Sequence, residues 1–301
     1  MILKYTVLPE DNGKKLKSIL KNKMGLSERL IKRLKNNRKI LVNSCLTYVN
    51  HDVSSGETVE VHIDFVETAD EIVPEDVPID IIYEDEYLIA LNKQPGIVVH
   101  PTCSHPSRTI ANGVMLHYLN NNEHKKIRPV SRLDRDTSGV IVFAKNEFIQ
   151  QSLIKQMHEN CYIKEYIGVV SGIVANTSGT IDLPIARKPG SIMLRHISED
   201  GDRAVTHYTV LKHLKDATLL RFRLETGRTH QIRVHCQAIG HPLIGDTLYS
   251  DSNADNLLIG RQALHSIETV FTHPVFNSQI RLTASIPQDI KNLIDAKTLL
   301  I

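Results

Sequence analysis

Apolar positions recur along this chain with two different periods, and the first clear one is helical. In GLSERLIKRLKNNRKILVN, residues Leu26, Leu30, Ile31 and Leu34 have the i, i+4, i+5, i+8 spacing of one buried helix face, and Ser27 stands where a hydroxyl can cap the first turn. ILVN and SSGETVEVHI, which follow, read as short strands. From about residue 79 onward the pattern is dominated by strands: YLIALNK (87–93), GVIVFAK (139–145), KEYIGVVSG, AVTHYTVLKHL and TLLRFRLETG. In the last of these, Leu220, Phe222 and Leu224 alternate with Arg221, Arg223 and Glu225, the period of two of a half-buried strand. QPGIVVHP turns through Pro95 and Gly96 toward a further short strand. NEFIQQSLIKQMHEN (146–160) reads as a helix, as does a short segment capped by Thr229 with Ile232, Cys236 and Ile239 on its buried face. Many strands with few helices between them predict an α+β fold on a largely antiparallel sheet.

Charge divides the chain further. Net charge is only +2 over 301 residues, but Lys14–Lys39 holds eleven Lys or Arg against one acid, whereas Glu67–Glu86 holds nine acids and no Lys or Arg. The predicted helix therefore turns a row of cations, Lys32 and Arg33 among them, away from its apolar face. Such a row attracts phosphates with a steep salt dependence. We expect a small basic α+β module over residues 1–65, an exposed acidic linker over 66–79 and a main domain over 80–301 that folds without the module. No apolar run is long enough to span a bilayer and no secretory segment opens the chain, which leads us to expect a cytoplasmic protein. Four widely spaced cysteines, with no C-x-x-C pair, suggest reduced, mostly buried thiols rather than disulfides or a zinc ribbon.

Two stretches concentrate chemistry. SRLDRDTSGVIVFAK (131–145) places Asp134, Arg135 and Asp136 at the mouth of a strand. TGRTHQIRVHCQAIGHP (226–242) crowds Arg228, Thr229, His230 and Gln231 at a helix start, where free amides favour an anion such as phosphate, and Arg233 follows one turn later. A metal is not suggested: His230 and His235 lie five apart, on different sides of a helix. Taken singly, each residue has a plainer reading. Asp134 can be a carboxylate satisfied by local amides, Tyr166 a core aromatic and Arg233 an exposed helix cation.

Taken in order, they carry a resemblance. GLSERLIKRLKNNRKILVN followed by VSSGETVEV resembles the RNA-binding module named after ribosomal small-subunit protein S-four. YEDEYLIALNKQPGIVVHP, SRLDRDTSGVIVFAK, KEYIGVVSG, TGRTHQIRVHCQAIGHPLIGDTLY, RQALHS and FTHPV together resemble the RluA family of RNA pseudouridine synthases, over residues 80 to 290. The resemblance implies a cofactor-free catalytic domain on a mixed, mostly antiparallel sheet, acting as a monomer on RNA, ribosomal RNA before transfer RNA. It implies Asp134 of R-L-D as the catalytic carboxylate, Tyr166 of K-x-Y as the stacking tyrosine, Arg233 of Q-[IL]-R as the partner of that aspartate, and Arg132 as the residue that helps displace the target base. Ser131 stands where the family usually has histidine. Asp136 is left as a support or surface residue, and Gly139 as a position for close packing or a turn.

The residue chemistry is consistent with that reading. A carboxylate can act as nucleophile at the sugar or ring, an arginine beside it favours its ionised form, and an aromatic face can hold a base taken out of its stack. Two other classes fit parts of the pattern. One is a noncatalytic RNA-binding factor on the same fold. The other is a glycosidic hydrolase using Asp134 and Asp136, which Arg135 and the absence of tryptophan weaken.

Overall fold

The computed structural model describes residues 1–63, 72–250 and 258–298. It has two sheets of clearly different size. The smaller is built by β1 (Ile2–Thr6), β2 (Ile40–Val42), β3 (Cys45–Leu46) and β4 (Thr58–His62), in the order β1-β4-β2-β3, with α1 (Leu16–Asn22) and α2 (Glu28–Asn36) inserted after β1. The helix α2 forms as its spacing predicts: Leu30, Ile31 and Leu34 are buried, and the Ser27 hydroxyl accepts from the Leu30 amide at 3.1 Å.

The larger sheet takes its strands from β5 (Ile81–Glu84), β6 (Leu88–Lys93), β7 (Ser138–Ala144), β8 (Ile163–Ser171), β9 (Ser178–Asp182), β12 (Val205–His213), β13 (Ala217–Leu224), β14 (Leu264–Thr272) and β15 (Gln279–Thr283). Their order is β5-β6-β7-β14-β8-β13-β12-β9, with β15 added on β14, and a small hairpin of β10 (Ile185–Arg187) and β11 (Arg195–Ile197) stands apart from it. Every pairing in the large sheet is antiparallel except β7 with β14, so the architecture is α+β on a mixed, mostly antiparallel sheet. The helices are α3 (Ile110–Asn120), α4 (Glu147–His158), α5 (Gln231–Ala238) and α6 (Gln288–Lys297).

The central strands are buried on both faces, which is why GVIVFA reads as a continuous apolar run rather than an alternation. Ile141 and Phe143 of β7 join Ile89 and Leu91 of β6 against Ile110, Val114 and Tyr118 of α3. The intervening Val140, Val142 and Ala144 face the other way, onto Phe148, Ile149 and Leu153 of α4, in the same apolar cluster that holds Leu16, Leu30, Leu34, Val59 and Val61 of the front sheet and its helices. At the parallel junction Gly139 (φ 108°) lies so close to the backbone of Ser266 that a Cβ would overlap the Ser266 carbonyl. The packing reading of Gly139 is the one the structure supports.

Several expectations change. Residues 97–99 form no strand. Instead, the Val98 and Val99 carbonyls accept from the Ile110 and Ala111 amides at the start of α3. Of the span expected as an exposed acidic linker, residues 66–71 lie outside the described residues; in the remainder Val73, Pro74, Asp76 and Pro78 are exposed, while Val77 is buried and the Asn112 side chain of α3 donates to the Val73 carbonyl at 2.8 Å. Three of the four cysteines, Cys45, Cys103 and Cys161, are exposed, and only Cys236 is buried. No helix of the described residues is long and apolar enough to cross a membrane.

Two buried histidines fasten loops to this framework. His265 accepts from the Ser138 hydroxyl at Nδ1 (2.9 Å) and donates from Nε2 to the Ala284 carbonyl (3.2 Å), while His235 does the same between Thr206 (2.9 Å) and Leu183 (2.9 Å). Burial lowers both pKa values below 6.5, with the Ala284 and Leu183 carbonyls opposing it. A histidine whose folded pKa lies below its unfolded value contributes stability that is full above pH about 6.5 and is lost as the pH falls below it. Thermal melts are therefore expected to show a falling midpoint between pH 7.5 and 5.5, and a flat or rising midpoint over that window would contradict the neutral assignment. The shared apolar cluster also changes the expected result of truncation: removing residues 1–63 uncovers Phe148 and Leu153. The remaining chain is expected to melt earlier and bind a hydrophobic dye more strongly than the full chain, whereas an unchanged melt would restore the picture of a freely separable module.

Candidate active site

The loop before β7 is fixed from three directions. The Lys93 ammonium, 1% exposed at the end of β6, donates to the carbonyls of Gln94 (2.8 Å), Ile97 (2.8 Å) and Arg135 (2.7 Å), matching its three N–H donors to three acceptors. Burial pulls the pKa of Lys93 down to about 7, against the charges of Asp136 and Asp134 that pull it up. The Arg261 guanidinium donates to the Asp136 carbonyl at 3.0 Å and is itself held by Asp289 at 2.7 and 3.0 Å. The Gln262 side-chain amide donates to the Thr137 hydroxyl at 3.2 Å. Asp134 is thus presented by a loop whose next three residues, Arg135, Asp136 and Thr137, are each anchored.

The two acids of the R-L-D-R-D stretch part company. Asp136 is taken by its own neighbour, Arg135, at 3.0–3.2 Å on the exposed side of the loop. Asp134 points inward to Arg233, whose Nη1 lies 3.3 Å from its Oδ2, and 24% of the Asp134 side chain stays open to solvent. Arg233 is not the exposed helix cation that its place in the sequence suggests. It is 5% exposed, donates twice to Asp246 (Nε 2.7 Å, Nη2 2.8 Å) and lies with its guanidinium 5.1 Å from the centre of the Tyr249 ring. Burial opposes the charge on Arg233, and Asp246 and then Asp134 outweigh it, so its pKa stands above the ordinary arginine value.

Asp246 itself is fully buried and also accepts from the Leu248 amide at 3.1 Å. It can sit there because Gly245 (φ 77°) passes so close to the Arg261 carbonyl that no Cβ would fit. Asp246 and Tyr249 were not singled out from the sequence, although both lie in the GDTLY run that follows the helix. Their signal was the fixed distance of a Gly-Asp from a helix that exports an arginine.

His230 and Tyr166 close the site. His230 precedes α5 in a left-handed conformation (φ 58°), so Thr229 does not cap the helix. That end is closed by the Gln231 side chain, which accepts from the Arg228 amide (3.0 Å) and the Thr226 hydroxyl (2.7 Å). The Tyr249 oxygen accepts from the Arg195 amide (2.9 Å), and its hydroxyl donates to His230 Nδ1 (2.8 Å). Burial lowers the His230 pKa against the pull of Asp134, leaving a neutral imidazole near the carboxylate. Tyr166, 6% exposed, packs in one apolar cluster with Leu133, Ile232 and Phe222. Burial first and the charge of Asp134 second push its pKa above the usual tyrosine value, so it presents a neutral ring.

The remaining residues are spread more widely. Arg132 is exposed, with no partner among the described residues, next to the Asp134 loop. Arg228 is half-exposed and donates to the Arg203 carbonyl at 3.0 Å, with Asp202 at 3.6 Å. Gln231, expected to face an anion, is buried, and its amide nitrogen donates to the Val205 carbonyl (2.9 Å) and the Thr206 hydroxyl (3.0 Å). Lys32 is exposed on α2, far along the chain from the cleft, while Arg33 turns to Glu147 of α4 at 3.1 Å. Among the described residues no cluster of His, Cys, Asp and Glu has the makings of a metal site.

A buried arginine shared between a structural and a solvent-accessible carboxylate, beside a tyrosine on the central strand β8 of a mixed sheet, defines a site for holding a charged group next to a flat ring. Residues 87–238 match the family model described as RNA pseudouridylate synthase. The "Uncharacterized RNA pseudouridine synthase YjbO" of Bacillus subtilis (strain 168) is 40% identical over 272 residues, 90% of this chain and 95% of that relative. The "Ribosomal large subunit pseudouridine synthase D" of Xanthomonas campestris pv. campestris is 37% identical over 252 residues, 80% of this chain and 76% of that relative. The solved structure of "Human RNA Pseudouridylate Synthase Domain Containing 4" shares the fold, with a TM-score of 0.59 at 22% identity over 72% of this chain and 92% of its own. The chain belongs to the RNA pseudouridine synthases, of the RluA type, and is an isomerase.

Removing Asp246 leaves Arg233 buried with one distant partner. Asp246→Ala is expected to cost about 3–5 kcal/mol in urea unfolding, the order found when one member of a buried pair is lost. Asp246→Asn is expected to slow the reaction about 100-fold through a misplaced Asp134. A cost below about 1 kcal/mol for the alanine variant would remove Arg233 from the centre of the account.

Proposed function

We propose that this enzyme converts specific uridines of large-subunit ribosomal RNA to pseudouridine, in the cytoplasm, with Asp134 as the catalytic carboxylate. The observation that carries the proposal is the Asp134–Arg233–Asp246 arrangement. One carboxylate of the three-group chain is fully buried and saturated, and the other is free to meet a substrate while a fixed cation lies 3.3 Å away. The ribosomal target is supported by the name borne by the Xanthomonas campestris relative.

The reaction breaks the bond from the sugar to N1 of uracil, turns the released ring and joins its C5 to the same sugar carbon; a base removes the proton from C5 and N1 gains one, so no proton is lost overall. Substrate and product have the same atoms, so neither a redox partner nor a hydrolytic water enters the balance. Asp134 supplies the nucleophilic carboxylate, and Arg233 keeps it oriented without needing to move. Tyr166, neutral and walled by Leu133 and Phe222, offers an apolar side for the flipped ring. Arg132 is the free cation nearest in sequence to Asp134 and is suited to the backbone or the gap left by the flipped base. Lys32 on the basic module, and Arg228 and His230 at the rim, supply further contacts to RNA.

The test is pseudouridine mapping of total RNA from cells carrying the wild-type chain, Asp134→Ala or a deletion. The expected result is loss of the same sites in the variant and the deletion. In vitro the Asp134 variant should retain less than about one part in 10⁴ of the rate, the scale on which removal of a nucleophile is felt. Sites that persist in Asp134→Ala but vanish in the deletion would remove Asp134 from the chemistry.

A further inference from the structure

Arg33 was expected to face RNA, but the structure uses it elsewhere. Glu147 opens α4, where the unpaired amides and the helix dipole favour an acid, and only 11% of its side chain meets solvent. Its Oε2 receives Arg33 Nη1 at 3.1 Å, and its Oε1 receives the Gln151 amide at 3.0 Å, with Arg29 Nε at 3.7 Å. Both arginines come from α2, one turn apart. The preceding residue, Asn146, makes a second link, its side-chain amide reaching the Met1 sulfur at 3.6 Å. Between these two ties runs apolar contact without a break, since front-module residues and Phe148 and Leu153 of α4 share one cluster.

We propose that Glu147 is a positioning residue that clamps the basic helix to the catalytic body, so that the front module reads RNA at a fixed distance from Asp134 instead of searching on a tether. The inference rests on the RNA reading above. With Arg33 drawn to Glu147, the cations of α2 left toward solvent are Lys32 and Lys35, both exposed, and Arg29, whose side chain stays 90% exposed beside Glu147. A ligand that meets those lysines and Asp134 together must match one spacing. A matched rigid span raises the effective concentration of the second contact, and a mismatched one cancels it. The pair is partly buried, so salt screens it less than it screens the open lysines. The substrate class is thereby narrowed to RNA with a folded phosphate backbone at a set distance from the target uridine, rather than a short single strand around it.

Charge reversal tests this directly in the full chain. Two labels, at Asn36→Cys on α2 and Lys155→Cys on α4, in a background with Cys45, Cys103 and Cys161 changed to serine, report the distance between module and body without any reference to RNA. The expected result is one narrow distance for the parent, a broad distribution for E147R or R33E alone, and a narrow one again for R33E/E147R. On transcribed large-subunit ribosomal RNA, each single reversal is expected to raise KM about tenfold with kcat within about twofold, and the double reversal to bring KM back within about threefold of the parent. E147Q, which keeps the shape of the side chain, guards against a folding defect and is expected to raise KM with an unchanged melt. A broad distance in the parent would overturn the clamp. So would a double reversal as weak as R33E alone, because Arg33 would then be an RNA contact in its own right. Failure of the parent to modify that RNA would count against the proposed target, while the label distances would still decide the clamp.

Discussion

Arg233 carries its charge with only 5% of its surface in water, and the geometry around it follows from that constraint. A buried guanidinium is tolerated only when its donors are satisfied by anions, and the bidentate pair with Asp246 meets most of the requirement at 2.7 and 2.8 Å. The donor left over, Nη1, points at Asp134. The structural pair therefore comes first, and the orientation of the Asp134 carboxylate, for which we propose the catalytic role, is a consequence of it. The same logic explains Gly245: Asp246 reaches the arginine only if the chain can pass hard against the Arg261 carbonyl, which excludes a side chain at the preceding position.

Elements far apart in sequence are needed to hold the other half of the contact. Lys93 at the end of β6, Arg261 and Gln262 before β14, and the Ser138–His265 hydrogen bond all grip the 135–138 segment, two through the carbonyls of Arg135 and Asp136 and two through the hydroxyls of Thr137 and Ser138. A backbone carbonyl is the same in every residue, so these grips fix position without dictating the exposed side chains of the loop. That leaves Arg132 exposed and Arg135 paired with Asp136 on the outer side of the loop, while Asp134 is held at the mouth of the sheet.

How much of this was legible in the sequence varied with the kind of signal. Helix α2 and strands β6, β7, β8 and β13 could be read because their periodicity or unbroken apolar runs match burial on one face or two. Helix α3 was not anticipated: it has a glycine inside and an Asn at the third position of its capping box, and it is buried nearly all round, so no polar stripe marks it. IVV after Gly96 has strand composition but spends its carbonyls on capping α3. Asp134, Tyr166 and Arg233 could be brought together only by resemblance, because residues 134 and 233 are joined by a contact that no local spacing encodes. Asp246 escaped notice for the same reason. An acid in a short loop looks like a surface residue until the arginine it serves is known to be buried. The exposed cysteines and the Arg33–Glu147 contact likewise depend on which faces the tertiary fold covers.

The account turns on the separation of two acids two residues apart, one drawn to Arg233 and one held by Arg135. The measurement that tests it most directly is the single-turnover rate of pseudouridine formation by purified Asp134→Asn and Asp136→Asn proteins on the same transcribed RNA, at saturating enzyme. The expected result is no detectable product from the first and a rate within a few-fold of the parent from the second, because the Asp136 side chain is bonded to exposed Arg135 and not to Arg233. Activity retained in Asp134→Asn and lost in Asp136→Asn would contradict the account, since the carboxylate beside the buried arginine would then not be the one that reacts.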